Sequence, residues 1–138
     1  MRRLLTVSAS VAFALIVLGA APAHSRHVKV PLVSVNGSGI GGFVNLEGLP
    51  REKGTVITVH ATGLTPGTEY LSLYYDNHIC ELEPYSADDV IGHYVGDAGG
   101  TATVNAKVGD DLEEINSVSV RTASDFALRA CADTHPGG

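Results

Sequence analysis

Hydrophobic and polar positions alternate with a period of two through most of this chain, the pattern of strands with one face buried. Residues 55–62 are the clearest case: Ile57, Val59 and Ala61 fall on one face, Thr58, His60 and Thr62 on the other. Residues 28–35 are β-branched and apolar and run into Asn36-Gly37-Ser38-Gly39, a strong turn signal. Residues 42–49 set Val44 and Leu46 against Phe43, Asn45 and Glu47 and stop at Pro50. After the turn Gly63-Leu64-Thr65-Pro66-Gly67-Thr68, residues 69–75 alternate again, which predicts Leu71 and Leu73 inward and Tyr70, Ser72 and Tyr74 outward. From 76 to 100 the period disappears, predicting a long loop with one helical turn near 86–90. Strands are then expected over 101–108, 115–122 and 126–132, with Gly109-Asp110-Asp111 as a turn. Seven or eight short strands with regular turns define an all-β sandwich or flattened barrel.

The N-terminus reads differently. Arg2 and Arg3 precede an apolar run from Leu4 to Ala21, and Ala21-Pro22-Ala23 and Ala23-His24-Ser25 both fit a signal peptidase site. Residues 1–25 are therefore expected to be a signal peptide, and 26–138 one exported domain with no membrane attachment after cleavage. The competing reading, an uncleaved anchor, is disfavoured by the small residues at the cleavage site and the polar segment that follows. The expected destination is the periplasm or the medium.

Charge narrows the partners. Of nine Lys and Arg, two are Arg2 and Arg3; the other seven face fifteen Asp and Glu. Phosphate backbones require clustered cations, so nucleic acid is excluded as a partner. The two cysteines, Cys80 and Cys131, both lie in the exported part. An isolated pair in an oxidising compartment predicts a disulfide, because a metal or redox pair would want C-x-x-C spacing or a nearby His. Closing a loop of about 50 residues contributes ~4 kcal/mol in the chain-entropy model.

Gly63-Leu64-Thr65-Pro66-Gly67, the strand after it, then Asp76-Asn77 and Cys80, resemble the corresponding stretch of copper/zinc superoxide dismutases. Val95-Gly96-Asp97-Ala98-Gly99 before a Thr/Val strand and the late Ala130-Cys131 resemble that family too. The resemblance implies an eight-stranded Greek-key barrel whose disulfide ties a long loop to a late strand. It does not carry the copper chemistry across. The family's His-x-His pair falls on Ser72 and Tyr74, and its late-strand His falls near Arg121, beside inward Val118 and Val120. Hydroxyl, phenol and guanidinium do not replace neutral imidazole on copper. The family's substrate-guiding arginine falls on Leu128, with Arg129 one residue along and so on the other face. The charged loop before it shrinks to Thr122-Ala123-Ser124-Asp125.

The zinc subsite is the remaining metal candidate. Asp97 takes the place of the family's zinc aspartate, and His93 and His78 lie in the same long loop. Tetrahedral structural zinc takes four ligands, so solvated loop histidines outweigh a zinc site made from these three. No cofactor is expected. Asp88-Asp89 and Asp110-Asp111 read as solvated turn residues, and His60 as a surface residue. The remaining candidate is a recognition face for another exported protein, formed by Tyr70, Ser72, Tyr74 and Arg121, since outward aromatics with a polar handle suit such surfaces. Its competitor is a loop folded back over Tyr74. Together these readings predict a dismutase-like domain without catalysis, acting as a binding or structural module. A metal-dependent enzyme of the same family with a divergent site stands as the alternative.

Overall fold

The structure, a computed structural model, describes residues 26–136; the expected signal segment, 1–25, lies outside the described residues. Nine strands follow in order: β1 (Arg26–Pro31), β2 (Val33–Ser34), β3 (Gly41–Gly48), β4 (Thr55–Thr62), β5 (Glu69–Tyr75), β6 (Val90–Val95), β7 (Ala102–Val108), β8 (Ser117–Thr122) and β9 (Leu128–Asp133). Two single 3-10 turns, Ala87–Asp89 and Leu112–Glu114, are the only helical pieces among the described residues. The strands form two sheets in the orders β1-β3-β4-β7 and β2-β9-β8-β5-β6, and neighbours within each are antiparallel.

The first sheet follows the sequence pattern closely. Val59 stands between Val44 and Val104, and Ile57 between Leu46 and Ala106, so one face of β4 fills the space between the sheets. Gly42, at φ +115°, crosses this sheet where any Cβ would collide with the carbonyl of His60. Pro31 is tolerated because β1 is an edge strand, where one side of the ladder is unused.

Three expectations change. Residues 28–35 are not one strand: the chain passes from the first sheet to the second at buried Leu32, whose N–H donates to Gly42 O at 3.0 Å. Apolarity continues through the switch, so the pattern does not register it.

The long loop is also shorter than expected, since β6 lies within it. A register shift opposite Ser72 and Leu73 breaks the period of β6. Gly92, which removes one side chain from its pattern, allows close approach to the other sheet: a Cβ there would stand 2.6 Å from Val104 Cγ2.

The facing of β5 is reversed. Tyr70, Ser72 and Tyr74 point between the sheets, and Leu71, Leu73 and Tyr75 point outward into a second apolar cluster with Cys80. Every residue of β5 after Glu69 is buried, so hydropathy cannot mark its inner face. The partner strand does. Directly paired residues share a face, and Tyr74 pairs with Val118, which belongs to the inter-sheet core.

The outer cluster is closed by the loop over residues 76–86 and by the disulfide Cys80–Cys131, with Cα atoms 5.9 Å apart. Cys131→Ser is expected to melt at least about 10 °C below the parent, since the bond constrains the unfolded chain by ~4 kcal/mol. Calorimetry with and without reductant checks this: reductant should lower the parent to the level of the variant and leave the variant unmoved.

Candidate functional site

β8 is buried on both faces, and its outer side chains, Ser117, Ser119 and Arg121, meet the covering loop. Ser117 Oγ donates to Asn77 O at 2.5 Å and accepts the Cys80 N–H at 3.2 Å. Ser119 Oγ and the Tyr75 hydroxyl share a bond of 2.8 Å. Arg121 completes the network. Its Nε donates to the Tyr75 hydroxyl at 2.9 Å, Nη1 to Phe126 O at 2.6 Å and Nη2 to Cys80 O at 2.7 Å.

All three acceptors of this buried guanidinium are neutral. Two of them are the carbonyls of Cys80 and Phe126, both in the left-handed region at φ 56° and 58°. Such a conformation costs a non-glycine residue on the order of 1 kcal/mol and persists where its surroundings over-determine it. Arg121 supplies that determination for both residues at once.

The candidate recognition face therefore does not exist as a surface. Tyr70, Ser72, Tyr74 and Arg121 are all more than nine-tenths buried. The Tyr70 hydroxyl accepts the Thr65 N–H at 2.9 Å, and its ring stacks on that of Tyr94. Ser72 Oγ bonds the Tyr94 hydroxyl at 2.7 Å. Burial pushes the Tyr94 phenol up to about 12 against the opposing effect of that bond. Burial also raises the Tyr74 phenol above the ordinary tyrosine range, reinforced by the charges of Asp110 and Asp89. Tyr85, in the loop above, does reach solvent, stacked on Phe126.

The three zinc candidates are held apart by separate partners. His78 Nδ1 lies 2.8 Å from Asp133 Oδ1, and His93 Nδ1 lies 3.1 Å from Glu69 Oε1. Asp97 closes its own turn, accepting the N–H groups of Gly99 and Thr101, each at 2.9 Å, and the Thr101 hydroxyl at 2.8 Å. The Thr101 bonds hold the Asp97 carboxyl below the usual carboxylate range. Among the described residues, no three His, Cys, Asp or Glu side chains gather as a metal site. The sequence placed these residues in one loop, but strand β6 and the reach of His78 to β9 disperse them.

One feature escaped the sequence. Asp89 and Asp110, expected as solvated turn residues, flank Tyr74 along a cleft of about 640 Å³ that also includes Lys107. Nothing local could signal this, because the two turns meet only after both sheets have formed. Set against models of known protein families, curated proteins and solved structures, the chain matches none.

Two outcomes follow. Arg121→Met should cost about 3 kcal/mol in chemical denaturation, since two carbonyls and a phenol lose their donor in a buried setting. Proteolytic nicking over 76–86 should then precede global unfolding; full resistance would contradict the role given to Arg121. The second outcome concerns acid. The His78 bond, first among its causes, holds the Asp133 carboxyl below its ordinary value. A depressed carboxyl adds stability that is complete above its unfolded value, about 3.9, and is lost as pH falls through the lower folded value. Asp133→Asn should therefore flatten the acid limb of the stability curve below about pH 4, read as melting temperature against pH.

Proposed function

We propose that this chain is an exported, superoxide dismutase-like β-domain that has no dismutase activity and acts as a binding or structural module. The order of its motifs supports the family scaffold. So do two antiparallel sheets and a disulfide joining the loop after β5 to the last strand. A Greek-key path through these strands belongs to the same proposal. Among the described residues no helix is long and apolar enough to cross a membrane, which is compatible with export.

The observation that carries the non-catalytic reading is the placement of Ser72 and Tyr74. These positions, which the resemblance assigns to copper imidazoles, lie inside the inter-sheet core. In the family the two imidazoles stand on an outward face. On that alignment, residue type and direction both speak against a copper site. The third position, Arg121, is a buried cation committed to two backbone carbonyls and a phenol. A divalent metal brought beside it would meet like charge without water to screen it.

The test is metal analysis of the full chain expressed for export, together with sequencing of the mature N-terminus and an assay of superoxide decay. Cleavage after Ala23 or Ser25, substoichiometric copper and no decay beyond the spontaneous rate are expected. Stoichiometric copper with activity lost on chelation would overturn the proposal.

A further inference from the structure

At the Tyr70 end of β5 the two sheets part around a cleft of about 280 Å³. Its polar lining is Ser38, Thr65, Thr68, Tyr70, Thr122 and Arg129, and Ile40 and Gly63 complete the wall. Five of these residues carry hydroxyls and one a guanidinium; no acid lines it. Such a lining donates hydrogen bonds, in a protein whose formal net charge is −6.

The donors are fixed in place. Arg129 Nε donates to Thr122 Oγ1 at 2.7 Å, which sets the plane of the guanidinium. The acid paired with it, Asp125, stands 3.8 Å from Nη2, beyond hydrogen-bond length, so the terminal amino groups keep protons to give. The Tyr70 hydroxyl accepts the Thr65 N–H, and its own proton is directed to no carboxylate. Ser38 Oγ donates to Arg129 O at 2.5 Å and accepts the Ile40 N–H at 3.1 Å, tying the turn after β2 to β9. The wall is thus held before any ligand arrives, which lowers the ordering cost of binding.

We propose that this cleft binds a small oxyanion, a carboxylate, phosphate or sulfate group, with Arg129 as its charge partner and Tyr70 as a neutral donor. A guanidinium whose acid partner, Asp125, stands 3.8 Å from Nη2 can offer its terminal amino groups to the paired oxygens of such a group, in competition with that acid. The volume limits the ligand to something smaller than a typical drug-sized molecule. The cleft lies at the mouth between the sheets and uses none of the positions discussed for metal; Arg129, one residue beyond the position that the resemblance gives to the family's guiding arginine, serves here as a wall residue of this cleft.

The test uses the disulfide-bonded protein, isotopically labelled, titrated with inorganic phosphate and separately with acetate at constant ionic strength. Saturable shifts are expected at the amides of Thr65, Thr68 and Arg129, with a dissociation constant on the order of 1 mM. Arg129→Gln should weaken binding at least about tenfold while lowering the melting temperature by only about 5 °C, the loss expected for its one bond to Thr122. Tyr70→Phe should weaken it by a smaller factor. Saturation by acetate alone identifies a carboxylate ligand, and by phosphate alone a tetrahedral one; either supports the site. No saturable shift with either probe overturns it, as does undiminished binding by Arg129→Gln. The parent titration decides the matter even where a variant fails to fold.

Discussion

The guanidinium of Arg121, enclosed between β8 and the loop above it, holds the whole outer layer in register. A buried charge with neutral acceptors has lost its hydration and gained three oriented dipoles, so it is stable only while all three are present. Two of those dipoles belong to residues with left-handed backbones, Cys80 and Phe126, one in each segment that crosses the outer face. The cation and the strained carbonyls therefore require each other. Their mutual dependence places Cys80 where it can reach Cys131 and closes the apolar cluster of Leu71, Leu73 and Tyr75.

This arrangement makes the second sheet a central layer. Its inner face meets the first sheet through Val118, Val120, Ala130 and Ala132, and its outer face meets the loop. A domain of this size with one core buries only about two-thirds of the surface its unfolded chain exposes. A second cluster under a covalently tied loop adds to that without adding a further sheet.

Legibility from the sequence followed how each strand is buried. β4 is buried on one face, and Ile57, Val59 and Ala61 declare that face directly. β5 is buried on both, so Leu71 and Leu73 look like core residues and are core residues, but of the outer cluster. β6 is interrupted by a register shift and by Gly92, which leaves no period to read. The outward position of Arg121 on β8 was legible from Val118 and Val120. The carbonyl that covers it, that of Cys80, comes from 41 residues upstream and leaves no local trace. Likewise, nothing in the spacing of Asp89 and Asp110 indicates that they share Tyr74.

The disulfide has a mechanical consequence as well. Cys80 and Cys131 are separated by 51 residues, and β6, β7 and β8 all lie between them. Tension applied at the two ends of the chain crosses from one sulfur to the other and bypasses that closed ring. Roughly 170 Å of contour length is withheld from extension as long as the bond is intact. Under load, the segments that peel are those before Cys80, beginning with the edge strand β1, while the ring remains covalently closed.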